Sequence, residues 1–182
     1  MENGQIYRFR RLLRDLRLDE SSREFACALS TDYSRRSDSL LVVGTPEFEP
    51  WHFVAHLADQ ARLADRPDLM PTWIRWAAPV GARAHLAVTM DRLAAARRGD
   101  TVLVIAPNNA SEYLLERVSD ARHAGGRILT LHREDRDLEG LAHEALAVPT
   151  IAPLQTFDVV QHVVASSAPG SSSRRLRRGR VA

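Results

Sequence analysis

The chain has 182 residues, enough for one compact domain that buries a sizeable core without metal or disulfide bonds. Its single cysteine, Cys27, excludes a disulfide framework, a zinc finger and a CxxC redox pair. All 25 basic residues are arginine, which excludes a P-loop lysine and Schiff-base chemistry. No apolar run is long enough to cross a membrane, and the first residues lack a signal-peptide pattern, so the sequence predicts a cytoplasmic protein with no membrane partner.

The net charge of +2 is unevenly placed. Residues 1–17 hold five arginines and two acids; residues 171–182 hold five arginines and no acids. The body between carries more acids than arginines. Any basic-partner inference therefore attaches to the two ends.

In chain order, Ile6, Phe9, Leu13 and Leu16 fall at helical spacing and predict a basic amphipathic helix over Ile6–Leu18. A second helix is predicted over Ser22–Tyr33. Ser39–Gly44 (SLLVVG) reads as a buried strand ending in a tight turn, and Pro50 to Ala64 as a helix with proline in its first turn. The alternation then repeats. Thr72–Ala77 is strand-like, Ala84–Arg98 helical, and Thr101–Ala106 (TVLVIA) the strongest strand. Asn109–Ala124 reads as a helix whose start fits a capping box of Asn109 with Glu112. Gly125-Gly126 closes it in the left-handed position. Arg127–Leu131 (strand), Leu138–His143 (helix), Ala145–Val148 (strand) and Thr156–Ser166 (helix) complete the series. The sequence from Ala168, APGSSSRRLRRGRVA, has little to bury and predicts disorder.

Strands that read as unbroken apolar runs are covered on both faces, as in parallel sheets. Alternation with helices predicts an α/β protein: a three-layer αβα sandwich around a five-stranded parallel sheet, plus N-terminal helices. In such sheets ligands bind beyond the carboxyl ends of the strands, which selects the loops Gly44–Glu49, Ala77–Arg83, Ala106–Ser111 and Leu131–Asp137. The third leads from the best strand into a capped helix start, where free N–H groups and the helix dipole favour an anion. Asn108 and Asn109 equally fit a plain turn and cap.

At this loop the chain resembles a known family. Gly99-Asp100, the strand TVLVIA, Ala121 and Gly125, the strand RILTL, and Leu138 with Ala142 leading to Val148-Pro149 resemble the second half of a sugar isomerase (SIS) domain. The resemblance is clear over Gly99–Pro149 and looser from Ser22 to Gly44 and in the closing helix. It implies a phosphosugar pocket. The family's phosphate motif, S-x-S-G-x-T, is altered: Ala106 and Asn108 take the serine positions, Asn109 the glycine position and Ser111 the threonine position. Gly44-Thr45-Pro46-Glu47 stands where a G-x-G-S-S turn is expected. His132 and His143 replace a threonine and an aspartate. The ligand-binding residues that the resemblance carries over are Gly44, Thr45, Asn108, Asn109, Ser111 and His132. Segments follow: 1–20 a basic helix, 21–167 the SIS-like domain, and 168–182 a basic tail.

Other groupings were weighed against plain packing. Glu49, His52 and His56 fall at i, i+3, i+7, a spacing usable for metal or proton transfer, although Phe53 occupies the glutamate position of an HExxH motif; no metal and no cofactor are assigned. Trp73 and Trp76 read as packing residues rather than a sugar platform. The tail arginines lack a nucleic-acid motif, so no specific nucleic-acid partner is assigned.

The expected function is a non-catalytic or regulatory SIS-like protein that binds or senses a phosphosugar. The alternatives are an active sugar-phosphate isomerase, with Glu47, Glu49 or His52 as candidate catalytic groups, and an interaction module with a vestigial pocket. The stripe Ile6, Phe9, Leu13 and Leu16 needs cover, which predicts a homodimer or a protein partner at the N-terminal helix.

Overall fold

A computed structural model of the chain describes residues 17–31, 39–78, 80–81 and 88–177. Its elements in chain order are α1 (Leu18–Thr31), β1 (Leu40–Val43), α2 (Trp51–Leu63), a 3-10 turn (Pro67–Leu69), β2 (Pro71–Ile74), α3 (Met90–Ala94), β3 (Thr101–Ala106), α4 (Glu112–His123), β4 (Arg127–His132), α5 (Arg136–Leu141), β5 (Glu144–Ala147) and α6 (Leu154–Arg177). The five strands form one sheet in the order β2-β1-β3-β4-β5, and every neighbouring pair is parallel. The α/β class and the five-stranded parallel sheet read from the sequence are the ones found.

Alternation along the strands divides the core between two faces. Leu40, Val42, Leu103, Ile105, Leu129 and Leu131 pack under α1, α2 and α6. Leu41, Val43, Val102, Val104 and Ile128 pack under α3, α4 and α5. Both clusters are fully buried, so β1 and β3 read as continuous apolar runs. Helix α6 packs on both α1 and α2.

Several boundaries move, each for a local reason. The helix over Ile6–Leu18 lies outside the described residues except for its last two. The next helix begins at Leu18 rather than Ser22, because Leu18, Phe25 and Leu29 share one buried face. Strand β2 ends at Ile74: Arg75 makes only an isolated bridge to Thr89, and the Trp76 indole turns away to donate to the Gly44 carbonyl. Helix α3 ends at Ala94, not Arg98. Buried Asp100 accepts from the Arg97 N–H (3.1 Å) and the Arg92 guanidinium (3.0 Å), which folds the segment before β3 into a turn. Helix α6 runs to Arg177 rather than closing at Ser166, so residues 168–177, read as a disordered tail, are helical here. Val164, Ala165 and Ala168 are buried, and the Ser30 hydroxyl donates to the Ala168 carbonyl, which carries the helix along α1.

Candidate functional site

Helix α2, which follows β1, lies on one face of the sheet, whereas α4, which follows β3, lies on the other. β1 and β3 are neighbours. The chain thus diverges to opposite faces between their carboxyl ends, and this divergence opens the crevice where open α/β sheets bind ligands. Two loops flank it: Gly44–Glu49 and Ala106–Ser111.

The first loop is a tight turn. The Phe48 N–H donates to the Thr45 carbonyl at 3.1 Å, and Pro46 and Glu47 form its tip. Gly44 is required, since a Cβ there would meet the Phe48 carbonyl oxygen at 1.9 Å. Thr45 is buried, and its Oγ1 has no hydrogen-bond partner among the described residues. Glu47 is exposed. Glu49 pairs with Arg75 at 3.4 Å, and the Arg75 guanidinium also lies 4.1 Å from the Trp73 ring centre.

The second loop leaves Asn108 and Asn109 exposed. Ser111, not Asn109, caps α4: its Oγ accepts from the Leu114 N–H at 3.3 Å. The cap predicted at Asn109 therefore moves two residues on, and with Leu114 three residues after Ser111 the capping box with Glu112 does not form. Asn109 is displaced because the loop is pulled towards α5, where the Asp135 carboxylate accepts from the Ala110 N–H at 2.7 Å. The same carboxylate caps α5 by accepting from Asp137 and Leu138. Asp135 so consumes one loop donor and sets the loop's position. The sequence reading missed it by starting the helix at the first apolar residue, Leu138. The signal present was an aspartate directly before the helical run.

His132 ends β4 and is completely buried. Its Nδ1 accepts from the Asp135 N–H at 2.9 Å, which leaves the proton on Nε2, and Nε2 has no partner among the described residues. Burial holds its pKa below the usual histidine value; Asp135 and Glu139 oppose that shift without cancelling it. His132 thus supports the loop from beneath.

Gly44, Thr45, Asn108, Asn109 and Ser111 are brought to the two flanks of one crevice. The three catalytic candidates are not brought to a common point. Glu47 is at the turn tip, Glu49 is held by Arg75, and His52 lines a separate cavity between α2 and α6 with His56, Asp59, Asp158, Gln161 and His162. In that cavity His56 meets His162 edge to face, with ring centres 4.4 Å apart, and bonds Ser166 at 3.2 Å. Burial, and secondarily His162, lowers the His56 pKa, with Asp59 opposing. Among the described residues no group of three histidine, cysteine, aspartate or glutamate side chains is placed to hold a metal ion. No described helix is long and apolar enough to cross a membrane.

No protein-family model matches the chain, and no curated protein sequence matches it. Solved structures do. The sugar isomerase domain of an RpiR transcription factor from Sphaerobacter thermophilus is similar with a TM-score of 0.53 at 16% identity, over 89% of this chain and 84% of that one. NanR from Vibrio vulnificus, complexed with ManNAc-6P, is similar with a TM-score of 0.56 at 10% identity, over 86% of this chain and 56% of NanR. The chain thus spans little more than half the length of NanR. A candidate sugar-phosphate isomerase from Listeria monocytogenes is similar with a TM-score of 0.52 at 9% identity, over 85% and 78%. The sheet order, the crevice and these likenesses agree on one point, that the chain has the sugar isomerase (SIS) fold.

Proposed function

We propose that the chain is a phosphosugar-binding domain of the sensory kind, and not an isomerase. The observation that carries this reading is the crevice between β1 and β3. It keeps a helix start with N–H groups left over by the helix facing a glycine-dependent turn, while Glu49, His52 and His132 are tied or placed elsewhere. The Leu114 N–H is taken by the Ser111 cap, but those of Glu112 and Tyr113 have no partner within the helix, and such groups favour an anion. Isomerisation needs a base beside a sugar carbon. Glu49 is instead committed to Arg75, and His132 is buried beneath the loop with Nδ1 already engaged. The structural relatives include an RpiR transcription factor and NanR complexed with ManNAc-6P, which supports the sensory reading.

Binding on this reading is weak. Ala106 removes a side-chain donor and Pro107 a backbone donor. Asp135 already holds the Ala110 N–H. An affinity of tens of micromolar to about one millimolar, roughly 4 to 6 kcal/mol, is expected. The test is a thermal-shift screen against hexose, hexosamine and pentose phosphates, paired with a turnover assay by NMR. A ligand at 100 times its Kd stabilises by about 2.7 kcal/mol. A stabilising phosphosugar that is not converted supports the reading. Conversion replaces it with the isomerase, and silence across the panel replaces it with an interaction module. The homodimer is proposed with it, and a monomeric mass by light scattering at high micromolar concentration removes that part.

A further inference from the structure

We propose that Trp76 and Tyr113 form a platform on which the ring of a cyclic sugar stacks at the mouth of the β1–β3 crevice; this rests on the phosphosugar reading above. The two rings come from opposite flanks. Trp76 lies just past β2, and its indole N–H donates to the Gly44 carbonyl at 3.0 Å, which fixes the ring against the glycine turn. Tyr113 lies in the first turn of α4, two residues after the Ser111 cap. The ring centres are 6.0 Å apart with planes tilted by 53°. Trp76 is half-buried and packs, as Ala110 does, against the core cluster under α3 and α4. Tyr113 is 50% exposed, so part of its ring stays open beside a loop of polar residues.

The other two tryptophans already have a partner on one ring face, although Trp51 stays 52% exposed. The Arg75 guanidinium lies over the Trp73 ring, and His52 stacks on Trp51. Among the described tryptophans, Trp76 is the one bonded to the Gly44 turn. Arg117 lies over the Tyr113 ring at 5.6 Å, which holds that ring near its position.

The chemistry divides accordingly. A pyranose carries C–H groups on one face, and these pack on the negative face of an aromatic ring. A phosphate carries charge, and it belongs at the N–H groups of α4. The platform therefore selects for a closed ring, while the helix start selects for the phosphate.

Calorimetric titration separates the two. The probes are N-acetylmannosamine 6-phosphate and glucose 6-phosphate, which have rings, and glycerol 3-phosphate, which has none. The wild type is expected to bind at least one ring-bearing probe tenfold or more tighter than glycerol 3-phosphate. Tyr113→Ala and Trp76→Leu are each expected to weaken that probe five- to tenfold and to leave glycerol 3-phosphate within twofold. Tyr113 is exposed enough that its variant decides the matter if Trp76→Leu does not fold. Equal wild-type affinity for ring and glycerol probes overturns the platform alone, as does an equal loss for both kinds of probe in the variants, or no loss. Binding of none of the three, with no other phosphosugar found by the screen, overturns the platform and the phosphosugar reading together.

Discussion

A methyl group at position 44 would lie 1.9 Å from the Phe48 carbonyl oxygen and 2.7 Å from Pro50 Cδ. The first is backbone and the second a rigid proline ring, so no flexible side chain can give way. Gly44→Ala is expected to cost about 3 kcal/mol or more, read as a lower urea midpoint; an unchanged midpoint would show that the turn relaxes freely. His132 makes a second residue-scale case. Its imidazole is held neutral, with a pKa depressed by burial. The unfolded chain takes up a proton as pH falls through about 6.5, whereas the fold resists it, so stability is full above that range and declines below it. His56 adds a contribution of the same sign. His132→Asn keeps an acceptor for the Asp135 N–H and removes the titration. Its stability is expected to fall less steeply between pH 7.5 and 5 than that of the wild type; parallel curves would contradict the assignment. At this scale the sequence was informative where residue type alone decides, as for Gly44. For Asp135 it carried a local cue to the cap of α5 but none to the bond with Ala110, since a tie across 25 residues leaves no local pattern.

Helix starts are where element-scale reading went astray. Asn109 and Ser111 are both good caps, and spacing to Glu112 favoured the first. The Asp135 tie at Ala110 decides for the second. Ser111→Ala is expected to cost about 1 kcal/mol and Asn109→Ala a few tenths, measured by chemical denaturation. The reverse order would restore the capping box. Strands were legible because β3 and β1 are apolar on both faces, a consequence of burial in a three-layer fold. Strand β2 was read to end three residues too late. Trp76 and Ala77 have strand-like character, but at a sheet edge the indole finds a better partner in the Gly44 carbonyl. The early end of α3 follows from the Asp100 bonds to Arg92 and Arg97, which no periodicity reveals.

For the whole molecule, one divergence of the chain between β1 and β3 places the glycine turn and the α4 start on facing flanks. The order of elements pointed to the loops at the carboxyl ends of the strands, since alternation of strand and helix fixes a parallel sheet, but not to the strand order that puts the crevice between β1 and β3. It did not reveal that Glu47, Glu49 and His52 go to three different surroundings, because that depends on side-chain partners such as Arg75. The central claim is that an anionic sugar is held at the Asn108–Ser111 flank. Its most direct test is isothermal titration of the strongest phosphosugar from the screen into the wild type and into the double variant Asn108→Ala, Ser111→Ala, both verified as folded. The account predicts a loss of at least tenfold in affinity in the double variant, about 1.4 kcal/mol. Unchanged affinity would place the ligand elsewhere on the molecule and contradict it.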